Sequence, residues 1–212
     1  MELSKHCANH LLKIKAVKLS PSKPFTWASG LKSPIYCDNR KTLSYPEVRT
    51  FIKEGLVHLI RTNFPTVEVI AGVATGAIAQ GVLVAQELNL PFVYVRSEEK
   101  KHGLTNMVEG VVKANQKVVV IEDLVSTGQS SLKAVNALKE MGCNVLGMTA
   151  IFTYNFTIAK ERFDEAKVNL HTLTDYHSLI EEAITQGYIQ KQEQDTLNKW
   201  SQNPQLWAQQ FE

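Results

Sequence analysis

Glu122 and Asp123 follow an apolar run and precede Ser126-Thr127-Gly128-Gln129-Ser130 in the segment KVVVIEDLVSTGQSSLKAV. Hydroxyls, a glycine and free backbone N–H groups, placed where a turn opens into a helix, form a site for a phosphate monoester. Two adjacent carboxylates repel that anion and suit sugar hydroxyls or a bound cation. Turn and pair together point to a ligand that carries both a ribose and a phosphate. The same stretch also reads as an ordinary strand, capped turn and helix, and spacing alone does not separate the two readings.

A second charged group, Arg96, Lys100, Lys101 and His102, falls in the short segment RSEEKKHG. Such a cluster either meets an anion or is a solvated turn. Other nucleotide motifs fail on spacing. No two glycines are separated by a single residue, so the dinucleotide fingerprint G-x-G-x-x-G is absent. Gly76 and Gly81 have the interval of a phosphate-binding Walker loop, but Val82-Leu83 stand where Lys and Ser/Thr are required. His6 and His10, spaced i, i+4 around Cys7, can hold a metal on a helix; with no further ligand nearby, a solvated face explains them as well.

These groups need a scaffold, and the hydrophobic pattern supplies one. Residues 2–17 predict an amphipathic helix, and residues 21–40 two short stretches around Ser29-Gly30, a hairpin signal. A helix follows from Pro46 to Thr62. Residues 67–73 form a continuous apolar run suited to a strand buried on both faces, and residues 77–88 return to helical spacing. Strands are predicted at 91–96, 108–112, 117–121 and 145–152, with a long polar loop over 97–106. The helix predicted at 129–141 ends at Gly142, well placed as its C′ residue. Residues 164–172 suggest one more strand, and 176–187 and 190–202 polar surface helices. Strands alternating with helices imply an α/β fold with a mainly parallel sheet covered on both faces. In such folds ligands sit beyond the carboxyl ends of strands, where Glu122 and Asp123 fall.

The 212 residues amount to one generous domain plus a small appendage, at about 150 residues per domain. The 23 Lys and Arg against 21 Asp and Glu give a net charge of +2, too balanced for a protein that wraps nucleic acid. No apolar run approaches the roughly 18 residues of a membrane span. Cys7, Cys37 and Cys143 are odd in number and widely spaced, so neither a disulfide framework nor a thiolate zinc site is suggested. With an N-terminus that lacks an apolar signal core, the chain reads as cytoplasmic. Trp27, Trp200 and Trp207 are expected to pack rather than bind.

The segment VVVIEDLVSTGQSS resembles the phosphoribosyl pyrophosphate (PRPP) signature of type I phosphoribosyltransferases, in which two acidic residues precede a turn rich in hydroxyls and glycine. Three further segments, FTWASGLKSPIYCDNR, AGVATGAIAQG and YVRSEEKKHG, resemble the orotate phosphoribosyltransferase branch. The matches run in order over most of residues 20–155. This resemblance implies the type I phosphoribosyltransferase fold as a single domain over 1–212, with residues 1–45 forming an N-terminal helix and hood. It also implies transfer of a phosphoribosyl group from PRPP to orotate, with Mg²⁺ held mainly by substrate and water rather than by protein ligands.

Residue by residue, the resemblance implies that Lys100, His102 and Asp123 are catalytic. PRPP would be bound by Arg96, Lys100, Lys101, His102, Glu122, Asp123, Leu124, Val125, Ser126, Thr127, Gly128, Gln129 and Ser130, and orotate by Ser126, Lys32 and Tyr36. The charged loop would act as a lid reaching into a neighbouring subunit, which implies a homodimer with shared sites. Longer members carry a Lys at the place of Ala28, another at the place of Gly76, and an Arg near Thr153-Tyr154; a shorter bacterial form shares this chain's departures. Two other readings are a phosphoribosyltransferase for a different nucleobase and a non-catalytic PRPP-sensing regulator. The regulator should show an added helix-turn-helix or basic stripe, and neither is visible.

Overall fold

The computed structural model describes residues 2–27, 29–97 and 107–211. Helix α1 (Glu2–Lys13) leads into a hood of short strands, β1 (Val17–Leu19), β2 (Phe25–Thr26), β3 (Lys32–Ser33) and β4 (Ile35–Cys37), followed by a 3₁₀ turn, Asn39–Ser44. The α/β body contains α2 (Pro46–Asn63), β5 (Val69–Val73), α3 (Ile78–Leu88), β6 (Phe92–Val95), β7 (Val108–Glu109), β8 (Lys117–Val125), α4 (Gln129–Glu140), β9 (Asn144–Thr153), α5 (Thr157–Glu165) and β10 (Leu170–Asp175). It closes with α6 (Tyr176–Thr185), α7 (Gln194–Gln202) and α8 (Pro204–Ala208). None of the helices is long and apolar enough to cross a membrane among the described residues.

The six-stranded sheet has the order β10-β9-β8-β5-β6-β7 and is parallel except where β7 runs against β6. Its central strands are buried because their sequences are apolar: all five residues of β5 are buried, as are residues 118–122 of β8. From β5 the chain moves outward to β6; from β8 it moves the opposite way, to β9 and β10. Right-handed crossovers then place α3 and α4 on opposite faces. The order reverses between β5 and β8, and a crevice opens beyond their carboxyl ends.

The predicted hairpin resolves into two separate ladders. β2 pairs with β3, Thr26 opposite Lys32, whereas β4 pairs with β1, Tyr36 opposite Lys18. Strand β8 runs four residues past the predicted end at Ile121, because Glu122, Leu124 and Val125 continue to pair with Ala150, Phe152 and Thr153 of β9. The first helix stops at Lys13 rather than at residue 17, since Lys15 is left-handed at φ 55° and Ala16 donates back to Leu11 O. The strand predicted at 164–172 begins only at Leu170, and helix α5 occupies residues before it. Cys7 is fully buried and His10 packs on Phe51, with ring centroids 4.7 Å apart; the two side chains face the protein rather than a shared metal.

The C-terminal segment is a brace rather than a polar surface layer. Trp200 of α7 is fully buried, with its ring 5.8 Å from Trp27 of the hood, 5.6 Å from Tyr154, 5.3 Å from Phe156 and 5.2 Å from Tyr176. Trp27 is fixed in turn by an Nε1–H bond to Ile35 O at 3.0 Å. Hood, sheet end and tail thus meet in one aromatic cluster. Truncating Trp200 to Ala should cost about 3–5 kcal/mol of unfolding free energy in denaturant titrations; a loss below about 1 kcal/mol would show that the cluster does not hold the hood.

Candidate active site

Asp123 stands at the topological switch. Its carboxylate lies directly against the Cα of Gly76, the turn residue beyond β5, where a side chain would collide with it. The residue type therefore follows from the close approach of the two strand ends. Glu122, 5% exposed, folds back into the protein: Oε1 accepts from the Asp123 N–H at 3.0 Å, and Oε2 accepts from Ser131 Oγ at 2.9 Å. Burial and the Asp123 charge push the Glu122 carboxyl well above the ordinary carboxylate range. Burial also raises Asp123, opposed by its hydrogen bond to Glu122 and by the charge of Arg40. Of the two neighbours, the more buried Glu122 is the one pushed further toward its neutral form.

Leu124 and Val125 finish β8, and Ser126, Thr127 and Gly128 form the turn into α4, which begins at Gln129 and Ser130. Gly128 adopts φ 77°, which favours glycine, and a Cβ there would press on the Phe163 ring at 3.0 Å. Residues 126–128 donate no backbone hydrogen bond among the described residues, so their N–H groups remain for a ligand. Arg162 of α5 donates from Nη1 to Thr127 O at 2.9 Å, which fixes the turn and adds positive charge behind it.

A cavity of about 250 Å³ is lined by Gly76, Arg96, Ser97, Glu122, Asp123, Ser130 and Lys133, so it gathers the acidic pair, the start of α4 and two cations. Arg96 faces Glu109 at 3.7 Å, and Lys133 donates to Ser97 O at 2.9 Å. A second cavity, about 530 Å³, opens on the other side of the turn between Trp27, Leu31, Ser126, Thr127, Arg162 and Asn203. We take the smaller one as the centre of the chemistry because it contains the acidic pair. No cluster of three His, Cys, Asp or Glu with metal-ligating geometry occurs among the described residues.

The structure thus brings together Arg96, Glu122, Asp123 and Ser130 around one cavity, with Ser126 and Thr127 on its neighbour. Lys100, Lys101 and His102 lie outside the described residues. Lys32 and Tyr36 sit on the hood: Lys32 Nζ donates to Thr26 Oγ1 at 2.9 Å, and Tyr36, 39% exposed, packs beside Phe25. The hood is tied to the site by Asn39, whose Nδ2 donates to Asp123 O at 2.6 Å. Tyr154 is buried in the aromatic cluster, stacked on Phe156 at 5.4 Å, and so serves packing. Sequence reasoning gave no role to Asn39, Arg40, Ser131, Lys133 or Arg162. Asn39 and Arg40 lay within the conspicuous segment FTWASGLKSPIYCDNR, whereas nothing local marked the other three.

Comparison with known proteins agrees with this geometry. Residues 43–182 match the model of the phosphoribosyl transferase domain, which defines the class. The Porphyromonas gingivalis protein named orotate phosphoribosyltransferase is 58% identical over 97% of this chain and 98% of its own length. The orotate phosphoribosyltransferase of Aeropyrum pernix superimposes with a TM-score of 0.75 at 27% identity, over 86% of this chain and 98% of that one. UMP synthase of Leishmania donovani shares the fold, with a TM-score of 0.78 at 24% identity over 93% of this chain and 42% of that one. The chain belongs to the orotate phosphoribosyltransferase family of type I phosphoribosyltransferases.

Two outcomes test the acidic pair. Gly76→Ala should displace the Asp123 carboxylate and lower kcat/KM at least about tenfold while the fold survives; unchanged kinetics would show that this carboxylate needs no fixed position. The raised Glu122 acidity has a defined sign. Its proton-linked stability is complete below the ordinary glutamate value of 4.5 and is lost as pH rises through the elevated folded value. Glu122→Gln removes that titration, so the variant should gain on the wild type by up to about 1.4 kcal/mol per pH unit within the window. Denaturation from about pH 5 to about pH 9 reads this, and a pH-independent difference would contradict it.

Proposed function

We propose that this chain is a pentosyltransferase that moves the 5-phosphoribosyl group of PRPP to N1 of orotate. The products are orotidine 5′-monophosphate and pyrophosphate, a step toward UMP. The observation that carries the reading is the acidic pair beside a turn that opens into α4, at the sheet's switch point. The names of the relatives favour orotate over another base, and an activity over a silent regulator.

Substitution at the ribose anomeric carbon builds positive charge on the ring and negative charge on the departing pyrophosphate. The protein's main task is therefore electrostatic and positional. Ser126, Thr127, Gly128, Gln129 and Ser130 receive the 5′-phosphate on N–H groups and hydroxyls. Asp123 and Glu122 grip the ribose hydroxyls, directly or through water. Leu124 and Val125 carry the backbone between them. Arg96 takes the pyrophosphate in the cavity, and Lys100, Lys101 and His102 complete that grip from the charged loop. Ser126 and the hood residues Lys32 and Tyr36 hold orotate.

Mg²⁺ fits this donor set as an ion held chiefly by substrate oxygens and water. Both Glu122 oxygens are engaged within the protein, and Asp123 alone offers it a carboxylate. When bound, the ion neutralises pyrophosphate charge. The assembly we propose is a cytoplasmic homodimer in which the charged loop of one protomer serves the site of its partner.

Orotate absorbance lost on mixing with PRPP and Mg²⁺, against hypoxanthine and uracil as competing bases, tests the activity. Orotate should be consumed far faster than either, and folded protein without orotate turnover would sink the assignment. Lys100→Ala and Asp123→Asn should each abolish most activity. Mixed dimers of the two should regain part of it through one intact site, and no recovery would refute sharing across subunits.

A further inference from the structure

Orotate differs from uracil by one carboxylate, placed beside the reacting nitrogen, and a site selective for it needs a cation on the base side of the ribose. The two cations lining the cavity do not stand there. Arg96 and Lys133 are grouped with Gly76 and Ser97, around the ends of β5 and β6. The base side is the hood. On that side Lys32 gives one bond to Thr26 Oγ1, Lys41 donates to Lys15 O at 3.1 Å, and Arg162, which lines the hood-side cavity, donates to Thr127 O at 2.9 Å.

Arg40 is different. It directly follows Asn39, whose side chain is fastened to Asp123 O at 2.6 Å, so its backbone is held at the edge of the acidic pair. Asp38 and then Asp123 raise the Arg40 guanidinium, and Arg40 in turn lowers Asp123, which sets this cation beside the acidic pair on the hood. The side chain is 61% exposed, yet its plane is set, because Nε donates to Asp38 Oδ1 at 2.7 Å. Neither Nη has a partner among the described residues. A guanidinium held through Nε with both Nη groups free presents the edge that receives a carboxylate through two parallel bonds.

We propose that Arg40, oriented by Asp38, receives the orotate carboxylate and sets the selectivity for orotate over uracil. This rests on the reading of the chain as an orotate enzyme and adds to it a residue for base recognition. Arg40 is a binding residue, and Asp38 acts through it.

The test compares orotidine 5′-monophosphate with uridine 5′-monophosphate, which differ only in the carboxylate, by calorimetric titration of the full chain. Wild-type protein should prefer the former. Arg40→Gln should weaken orotidine monophosphate binding about 10- to 100-fold, as expected for losing charge-assisted bonds, and leave uridine monophosphate within about twofold. Arg40→Lys should retain part of the preference, and Asp38→Asn should lose less of it than Arg40→Gln. Lys18, opposite Tyr36 in register, is the control. A preference that survives Arg40→Gln, an equal loss for both nucleotides, or a preference that disappears with Lys18→Gln instead would overturn the proposal. Wild-type protein with no preference and no orotate turnover would instead remove the reading on which it rests.

Discussion

Two carboxyl groups, adjacent in sequence and both buried, sit where the strand order of the sheet reverses, and much of the surrounding structure exists to hold them. Neighbouring residues of a strand ordinarily point to opposite faces. Here Glu122 turns inward to Ser131 on α4, while Asp123 reaches across to Gly76 beyond β5. The pair is thereby clamped between two crossover units. Burial supplies the low dielectric that favours the neutral form of Glu122.

The hood depends on the same point. Asn39 spans from the 3₁₀ turn to Asp123 O, and Cys37, next to it, donates to Asn39 Oδ1 at 3.4 Å. On its far side the hood is held by aromatic contact, Trp27 to Tyr154 and Trp200. The C-terminal helices thus support the hood through Trp200 and also reach the cavity beside Ser126 and Thr127, which Asn203 lines. Arg162 performs the corresponding service for the phosphate turn, from a helix that does not line the acidic cavity.

What the sequence disclosed follows from how local each signal is. The buried strands are readable because continuous apolar runs report burial directly, and Glu122-Asp123 stands out as charge at the end of such a run, just before a turn rich in hydroxyls. The end of β8 was misjudged because pairing with β9, a tertiary fact, carries it through Val125. Helix α5 was missed: TIAKERFDE is mostly charged, and only Ala159 and Phe163 are buried. The tail looked superficial for the opposite reason, since only Leu197 and Trp200 of α7 are buried in an otherwise polar helix. Arg40 carries no local signal, because its place beside the acidic pair depends on the bond of Asn39 to Asp123 O, a contact between residues 84 positions apart.

The most direct test of this account is a crystal structure of the chain with orotidine 5′-monophosphate bound. The account predicts the ribose hydroxyls against Asp123 and Glu122 and the 5′-phosphate on the N–H groups and hydroxyls of residues 126–130. A phosphate bound elsewhere, or ribose hydroxyls with no contact to the acidic pair, would contradict it.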